Sequence, residues 1–198
     1  MEREKPYSIV DGFQASQKGT AIGLFWQAFK GKLHPVMKPK LKALRFLDMV
    51  ADPEHAISAI SRDGTLIGVA GFKTTKGSFI GGSLKQLCAV YGLLGGCWRG
   101  LVLSVLERPL QPHTLLMDGI FVSETARGGG VGSALLSAIK EKAIACGCSK
   151  VRLDVIDTNP RARVLYERHG FISQDTSDIG PLRHIFGFQK ATTMVCEV

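Results

Sequence analysis

The sequence lacks both a long uncharged apolar run and a paired arrangement of cysteines. Within 83–106, its most apolar part, the longest uncharged run is the 13 residues from Gln86 to Trp98, whereas a membrane-spanning helix needs about 20. The five cysteines are odd in number and form no C-x-x-C pair. They predict free thiols in a reduced, cytoplasmic setting. The charged first residues have no apolar segment after them, which argues against a signal peptide.

Metal-ligand and nucleic-acid patterns are also missing. The five histidines do not cluster, and there is no zinc-finger spacing and no basic arm, so we expect neither a metal site nor a nucleic-acid partner. The net charge is nonetheless +8 and the isoelectric point about 9.4, which favours an anionic ligand. Residues 30–45 carry six Lys and Arg and no acid. They are either a solvated surface or a region that attracts an acidic substrate or an anionic ligand.

Length and patterning indicate one globular domain over residues 1–198. The chain is 45% hydrophobic and 21% charged, as is typical of globular proteins. His55 to Ser61 and Thr65 to Phe72 read as a hairpin around the turn residues 62–64. Helical patterns come before this hairpin, and a strand–helix–strand–helix order follows it. This order predicts an α/β or α+β fold with a mixed sheet.

The chain is organised around a glycine-rich loop between a strand and a helix. Residues 115–122 read as a buried strand, and Val131 to Cys146 read as an amphipathic helix capped by Gly147. The loop between them contains the sequence Arg127-Gly-Gly-Gly-Val-Gly-Ser133. The first N–H groups of a helix lack internal partners, and the helix dipole adds positive potential. This loop therefore predicts a phosphate site, most simply for a pyrophosphate.

Two common phosphate loops do not fit this stretch. A P-loop needs a lysine before Ser133, and G-x-G-x-x-G/A fails from either Gly128 or Gly130. The pattern that fits is R-x-x-G-x-G, which resembles the acetyl-CoA pyrophosphate loop of the GNAT superfamily of N-acetyltransferases. A flexible turn is the alternative interpretation of the glycines alone.

A second motif supports the same resemblance. It begins at Asn159, 27 residues after Gly132, and reads N-x-x-A-x-x-L-Y-E-x-x-G-F, which is similar to the second GNAT signature. The resemblance covers His55 to Val198, with 74–113 as an insertion between the third and fourth strands and 115–175 as the acetyl-CoA-binding core. It implies a mixed, mostly antiparallel sheet of about seven strands flanked by helices, with the fourth and fifth strands splayed.

The resemblance also implies a reaction and a set of residues. The reaction is direct attack of an acceptor amine on the thioester of acetyl-CoA, without a metal. The tyrosine of the second motif, Tyr166, would be the general acid near the thioester sulfur, although a core aromatic is its simpler interpretation. The implied cofactor-binding residues are Ile120, Phe121 and Val122 for the pantetheine arm, Arg127, Gly128, Gly129, Gly130, Val131, Gly132 and Ser133 for the pyrophosphate, and Asn159, Ala162 and Tyr166 beside the arm.

Asp118 stands where many family members carry a glutamate. It is either the catalytic base, directly or through water, or an acid that binds the substrate ammonium. Strand periodicity predicts that Asp118 points to the same side as Ile120 and Val122.

The sequence indicates least about the role of residues 83–106 and about the identity of the acceptor amine. We expect two short helices around Gly95-Gly96 that end before Pro109 and serve as a lid, a homodimer contact or extra core. A longer acyl-CoA with this insert as its acyl pocket, and a CoA-binding module without turnover, are alternative functions. A nucleic-acid binder rests on charge alone. The acceptor remains open among small amines, peptide N-termini, lysine and antibiotics.

Overall fold

The computed structural model describes residues 5–105, 107 and 109–198. Its strands are β1 (Tyr7–Asp11), β2 (Ala56–Ser61), β3 (Leu66–Thr74), β4 (Gly77–Ser78), β5 (Thr114–Val122), β6 (Lys150–Ile156), β7 (Ile172–Asp178) and β8 (Lys190–Glu197). Its helices are α1 (Lys18–Met37), α2 (Lys40–Val50), α3 (Leu84–Tyr91), α4 (Leu93–Ser104), α5 (Val131–Ala145), α6 (Pro160–Arg168) and α7 (Arg183–Phe186).

The eight strands form one mixed sheet, as the sequence predicts. Their order is β1-β2-β3-β5-β6-β8-β7, and the two-residue β4 pairs with β3. Every pairing is antiparallel except that of β5 with β6. The predicted fold class, a single α/β domain with an insertion between its third and fourth main strands, is confirmed. The family's fourth and fifth strands correspond to β5 and β6.

Helices cover both faces of the sheet and create two buried clusters. On one face, α5 packs Leu135 and Ile139 against the sheet, where both are fully buried. On the other face, α1, α2 and α3 pack around an aromatic group that includes Phe25, Phe79 and Phe121. The central strands of the sheet are therefore covered on both faces, whereas the edge strand β7 is exposed.

The insertion is helical, but its break is not where the glycine pair predicted. The chain turns at Gly92, whose φ of +77° strongly favours glycine, whereas Gly95 and Gly96 lie inside α4. Gly96 is needed for packing, because an added Cβ would lie 2.6 Å from the Cys88 backbone. The prediction of a break at Gly95-Gly96 is wrong because these small residues serve the α3–α4 contact. Leu106, at the end of the predicted segment, lies outside the described residues.

The two inserted helices have different environments. The α3 helix buries Leu87, Val90 and Tyr91, and the Tyr91 hydroxyl donates a 2.7 Å hydrogen bond to the Met37 carbonyl. This helix is extra core. The α4 helix and the residue after it instead leave large apolar side chains exposed: Leu93, Leu94, Trp98, Leu101 and Val105. A homodimer contact on this surface stays a prediction. None of the helices in the described ranges is long and apolar enough to cross a membrane.

Candidate active site

The sheet opens between β5 and β6. These strands pair only from Thr114 to Met117 and from Lys150 to Leu153. Beyond that point β5 continues to Val122 with no recorded pairing to β6. The opening leaves backbone groups on one edge of β5 available to a ligand in the manner of an added strand.

A β-bulge lies where the two strands separate. On β3, the adjacent residues Gly71 and Phe72 pair with Gly119 and Met117, so Asp118 is an extra residue on β5. A bulge interrupts the alternation of side chains and redirects the strand. Leu115 and Met117 pack toward α5, and so do Ile120 and Val122 after the bulge. Asp118 lines the cavity on the α1 side. The prediction that Asp118 points to the same side as Ile120 and Val122 is therefore wrong.

The opening contains a small crevice of about 80 Å³ between β5 and β6. It brings together residues that are far apart in the sequence. Six of the residues predicted for the site line it: Asp118, Ile120, Phe121, Asn159, Ala162 and Tyr166. Val122 and the glycine loop do not line it. The loop instead leads into α5 beside α6: a Cβ added at Gly132 would lie 3.4 Å from the Leu165 side chain of α6.

The glycine loop forms a cradle of backbone donors at the start of α5. Gly128 and Gly130 have φ values of +82° and +79°, which L side chains rarely adopt. Among the described residues, no backbone acceptor is recorded for the N–H groups of Gly130 to Ser133, and no side chain caps α5. Unsatisfied helix N–H groups with an open approach suit a phosphate.

Arg127 is attached to the strand that leads into this loop. Its Nε donates a 3.3 Å hydrogen bond to the Val122 carbonyl, and its Nη1 lies 4.0 Å from Glu124. The side chain remains 61% exposed. The guanidinium is thus held beside the cradle while most of its surface is open to solvent.

Asn159 and Tyr166 are positioned by the helix α6. The Asn159 Oδ1 accepts the Ala162 N–H at 3.3 Å and caps the helix, and Pro160 occupies its first position. Asn159 also lines the crevice. Tyr166 packs against Phe171 with ring centroids 5.9 Å apart.

The ring of Tyr166 therefore belongs to the core, but its hydroxyl is left available for a ligand. No hydrogen bond from this hydroxyl to another described residue is recorded, although the side chain is buried and lines the crevice. Burial raises the pKa of Tyr166 to about 12. The phenol stays protonated across the physiological pH range and can donate a hydrogen bond.

Asp118 has an unusual electrostatic environment. Its Oδ2 is shielded from solvent and has no hydrogen-bond partner among the described residues. Burial raises the pKa of Asp118 from 3.8 to about 7, and the positive charge of Lys73 offsets part of this effect. A carboxyl group with a pKa near neutrality suits proton exchange at physiological pH.

A much larger cavity, of about 780 Å³, begins on the α1 side of Asp118. It shares Phe29, Lys32 and Asp118 with the crevice, so the two spaces meet at the carboxylate. Asp154 on β6 also borders both spaces. Its Oδ1 accepts a 2.7 Å hydrogen bond from Thr193 and lies 3.7 Å from Arg152.

Apart from Asp118, the residues of the large cavity were not identified from the sequence. Phe29, Lys73 and Asp154 belong to no motif. The alternation in β6 places Asp154 opposite the buried Leu153 and Val155, but this pattern does not indicate what Asp154 faces. Only the packing of α1, α2 and the insertion over the sheet defines this space.

Comparison with known proteins identifies the family of the chain. Residues 21–171 of the 198 match the acetyltransferase (GNAT) family. The chain belongs to this family.

Individual relatives match over shorter segments. Thialysine N-epsilon-acetyltransferase from Bos taurus is 38% identical over 66 residues, which are 33% of this chain and 38% of the relative. The Sus scrofa protein of the same name is 38% identical over 58 residues, 29% of this chain and 34% of the relative. The matched part thus spans little more than a third of those relatives.

Solved structures match over nearly the whole chain. A GCN5-related N-acetyltransferase from Kribbella flavida superposes with a TM-score of 0.65 at 17% identity, covering 98% of both chains. Another acetyltransferase structure superposes with a TM-score of 0.63 at 22% identity, covering 96% of this chain and 99% of the other. At these identities the likeness concerns the fold.

Proposed function

We propose that this protein transfers the acetyl group of acetyl-CoA to the nitrogen of an acceptor amine within the crevice between β5 and β6. The observation that carries the proposal is the position of Asp118 where the crevice and the large cavity meet. A thioester entering from the crevice and an amine entering from the cavity would meet at this carboxylate. The two substrates then need no covalent enzyme intermediate.

The chain offers acetyl-CoA three kinds of contact. Gly128 to Ser133 present backbone N–H groups, and Arg127 presents a guanidinium, to the pyrophosphate. The unpaired edge of β5 from Ile120 to Val122 presents backbone groups to the pantetheine amides. The amide of Asn159 and the small side chain of Ala162 border the same arm. These residues fit the cofactor because the N–H groups of Gly130 to Ser133 have no backbone acceptor among the described residues, the Arg127 side chain is 61% exposed, and the glycines leave room.

Asp118 is assigned the role of base. An alkyl amine with a pKa near 10.4 is mostly protonated at neutral pH and must lose a proton before it can attack. The Asp118 carboxylate accepts that proton, directly or through water, and then releases it to solvent. The nitrogen forms a bond to the carbonyl carbon and loses its second proton to solvent, and the carbon–sulfur bond breaks with its electron pair left on sulfur.

Tyr166 is assigned to the departing sulfur. An alkyl thiol has a pKa of about 8.5, so complete proton transfer from a phenol with a pKa of about 12 is unfavourable at first. The hydroxyl therefore acts mainly by donating a hydrogen bond as charge develops on the sulfur. The thiolate takes its proton from Tyr166 or from water as it leaves.

The test is thermal melting with and without acetyl-CoA. Ligand at about 100 times its dissociation constant stabilises a protein by about 2.7 kcal/mol, which corresponds to about 5–10 °C for a chain of this size. Gly130→Glu should abolish the shift, because its carboxylate would occupy the phosphate cradle. Retained affinity in that variant would contradict the placement of the pyrophosphate.

A matched control separates backbone strain from loss of the site. Gly64, in the β2–β3 turn, has a φ of +83° and open space around its Cβ position, so Gly64→Glu imposes a similar strain away from the crevice. We expect this variant to melt earlier than the parent but to keep the full acetyl-CoA shift. Loss of the shift in both variants would mean that Gly130→Glu acts through stability alone.

The large cavity supports one second candidate, an acyltransferase that uses a longer acyl-CoA. In that case the apolar insert would hold the acyl chain, and turnover would favour octanoyl-CoA over acetyl-CoA. A CoA-binding module without turnover would show the melting shift and form no product with any amine. A cytoplasmic location belongs to the proposal and is supported by the five unpaired cysteines.

A further inference from the structure

We infer that the acceptor is a monoamine carried on a bulky apolar group, alkyl or arylalkyl, and that this group fills the half-open cavity bordered by α1, α2 and the inserted helices. The inference rests on the proposed acetyl transfer and specifies its acceptor. The feature that supports it is the contrast between the Asp118 carboxyl group, whose Oδ2 has no hydrogen-bond partner among the described residues, and the apolar side chains that line most of the cavity.

The walls come from elements that pack over the sheet. Phe25 and Phe29 of α1 line one side, with their ring centroids 4.8 Å apart and their planes tilted by 56°. Phe46 and Leu47 of α2 line a second side, and Leu87 of α3 with Leu103 of α4 line a third. The volume of about 780 Å³ falls within the range of small-molecule sites. It exceeds what the amine of a short polar substrate would occupy.

The other charged groups of the cavity already have partners within the protein. Lys73 lies 4.0 Å from Glu107, and the Lys32 ammonium lies over the rings of Phe29 and Phe188 at 5.3 and 4.9 Å. Asp154 is engaged by Thr193 and Arg152. A second charge on the acceptor would have to compete with these contacts or lose hydration without compensation. The apolar end of the acceptor meets no such cost.

The inserted helices explain how the cavity arises. Gly100 on α4 approaches α3 closely, since an added Cβ would lie 2.9 Å from the Leu84 side chain. This contact and that of Gly96 with Cys88 set the α3–α4 pair over the open side of the sheet. Without 83–104, the faces of Phe46 and Leu47 that border the cavity would be exposed. The insertion thus supplies the apolar surface that selects the acceptor.

The experiment measures kcat/KM for a series of n-alkylamines from ethylamine to hexylamine, with acetyl-CoA saturating. Each added methylene should raise kcat/KM by about fourfold while the chain fills apolar space, and phenylethylamine should also be a good acceptor. Lysine and 1,4-diaminobutane should be poorer than butylamine. A flat series, or a preference for the charged acceptors, would overturn the inference.

The outcomes distinguish this inference from the proposed function. Acetylation of all amines without dependence on chain length would overturn the apolar acceptor and leave acetyl transfer intact. No product with any amine would overturn both. A preference for octanoyl-CoA over acetyl-CoA, combined with a flat amine series, would assign the cavity to the acyl chain and overturn the inference.

A pair of variants on α4 tests the wall directly. Leu103 lines the cavity, whereas Leu94 does not line it and is 87% exposed. Leu103→Arg should lower kcat/KM for hexylamine at least tenfold more than for ethylamine, while Leu94→Arg should leave the slope of the series unchanged. Equal slopes in the two variants, with both folded by circular dichroism, would contradict the assignment of this wall.

Discussion

Replacing Asp118 with asparagine should make the protein more stable and less active. The carboxylate is buried without a hydrogen bond to Oδ2, and its charged form costs free energy in the folded state. A raised acid pKa means that the folded protein holds its proton more tightly than the unfolded chain. Stability therefore falls as pH rises from about 4 to about 7 and stays level above that. Asparagine does not titrate and avoids this loss.

The magnitude follows from the pKa. The pKa of Asp118 rises from 3.8 to about 7 on folding. At 1.36 kcal/mol per pKa unit, this difference corresponds to a loss of about 4 kcal/mol of stability when the group is ionised. The buried amide needs hydrogen bonds of its own, which offsets part of this gain. We therefore expect the free energy of unfolding of the variant to exceed that of the parent by about 2 kcal/mol at pH 8. For a chain of this length that gives a rise in Tm of about 4–8 °C.

The assay is thermal melting of both proteins at several pH values between 4 and 9. The Tm of the variant should lie below that of the parent at pH 4, because only the cost of the buried amide remains there, should rise above it as pH passes through 7, and the difference should then level off. A difference that does not depend on pH would refute the reasoning, because the carboxyl group would then not titrate near neutrality.

Asp63 offers a control of opposite sign. Hydrogen bonds from Ser61 and Thr65 lower the pKa of this exposed acid, so its contribution to stability is present above the unfolded pKa and is lost as pH falls. Asp63→Asn should therefore lower Tm slightly at neutral pH, and the difference should shrink in acid. Stabilisation by both substitutions would indicate a general effect of net charge.

The kinetic consequence separates the two roles considered for Asp118. If Asp118 is the base, removal of its carboxylate should lower kcat by about 10²–10⁴, and the wild-type kcat/KM should rise with pH through about 7. As an ammonium-binding group, its removal should mainly raise KM for the amine. An unchanged kcat would leave Asp118 with the binding role alone.

Three further predictions concern the crevice and the surface. Tyr166→Phe should keep the acetyl-CoA melting shift but lower kcat, and unchanged turnover would remove Tyr166 from the reaction. Asn159→Ala should weaken acetyl-CoA binding and also cost about 1 kcal/mol of stability through the lost helix cap. An equal loss of stability without weaker binding would restrict Asn159 to capping. If the exposed face of α4 joins two copies, Leu94→Arg should halve the mass measured by sedimentation velocity, and an unchanged mass would place any dimer contact elsewhere.

Local features of the molecule could be predicted from the sequence because their causes are local. The β2–β3 hairpin depends on its turn residues, and Gly64 adopts the positive φ that the turn requires. The start of α6 depends on Asn159 and Pro160, and the start of α5 on the glycine loop. In each case the determining residues are within a few positions of one another. The same spacing made the two motifs of the family recognisable.

Features that depend on distant segments could not be predicted in the same way. The break at Gly92 rather than at Gly95-Gly96 follows from the approach of α4 to Cys88, which no local pattern records. The side to which Asp118 points follows from a bulge whose existence depends on pairing with β3. Period-two alternation fails at any bulge, so the strand pattern alone gave the wrong face.

The sequence by itself determined the family, the order of the elements and the two motifs that border the crevice. The tertiary structure decided that Asp118 lies between the crevice and a large apolar cavity, and that its pKa is near neutrality. The physical reason is that burial and cavity shape depend on how α1, α2 and the inserted helices pack over the open edge of β5. Such packing joins residues more than 80 positions apart, such as Phe29 and Asp118, and it is absent from any local pattern.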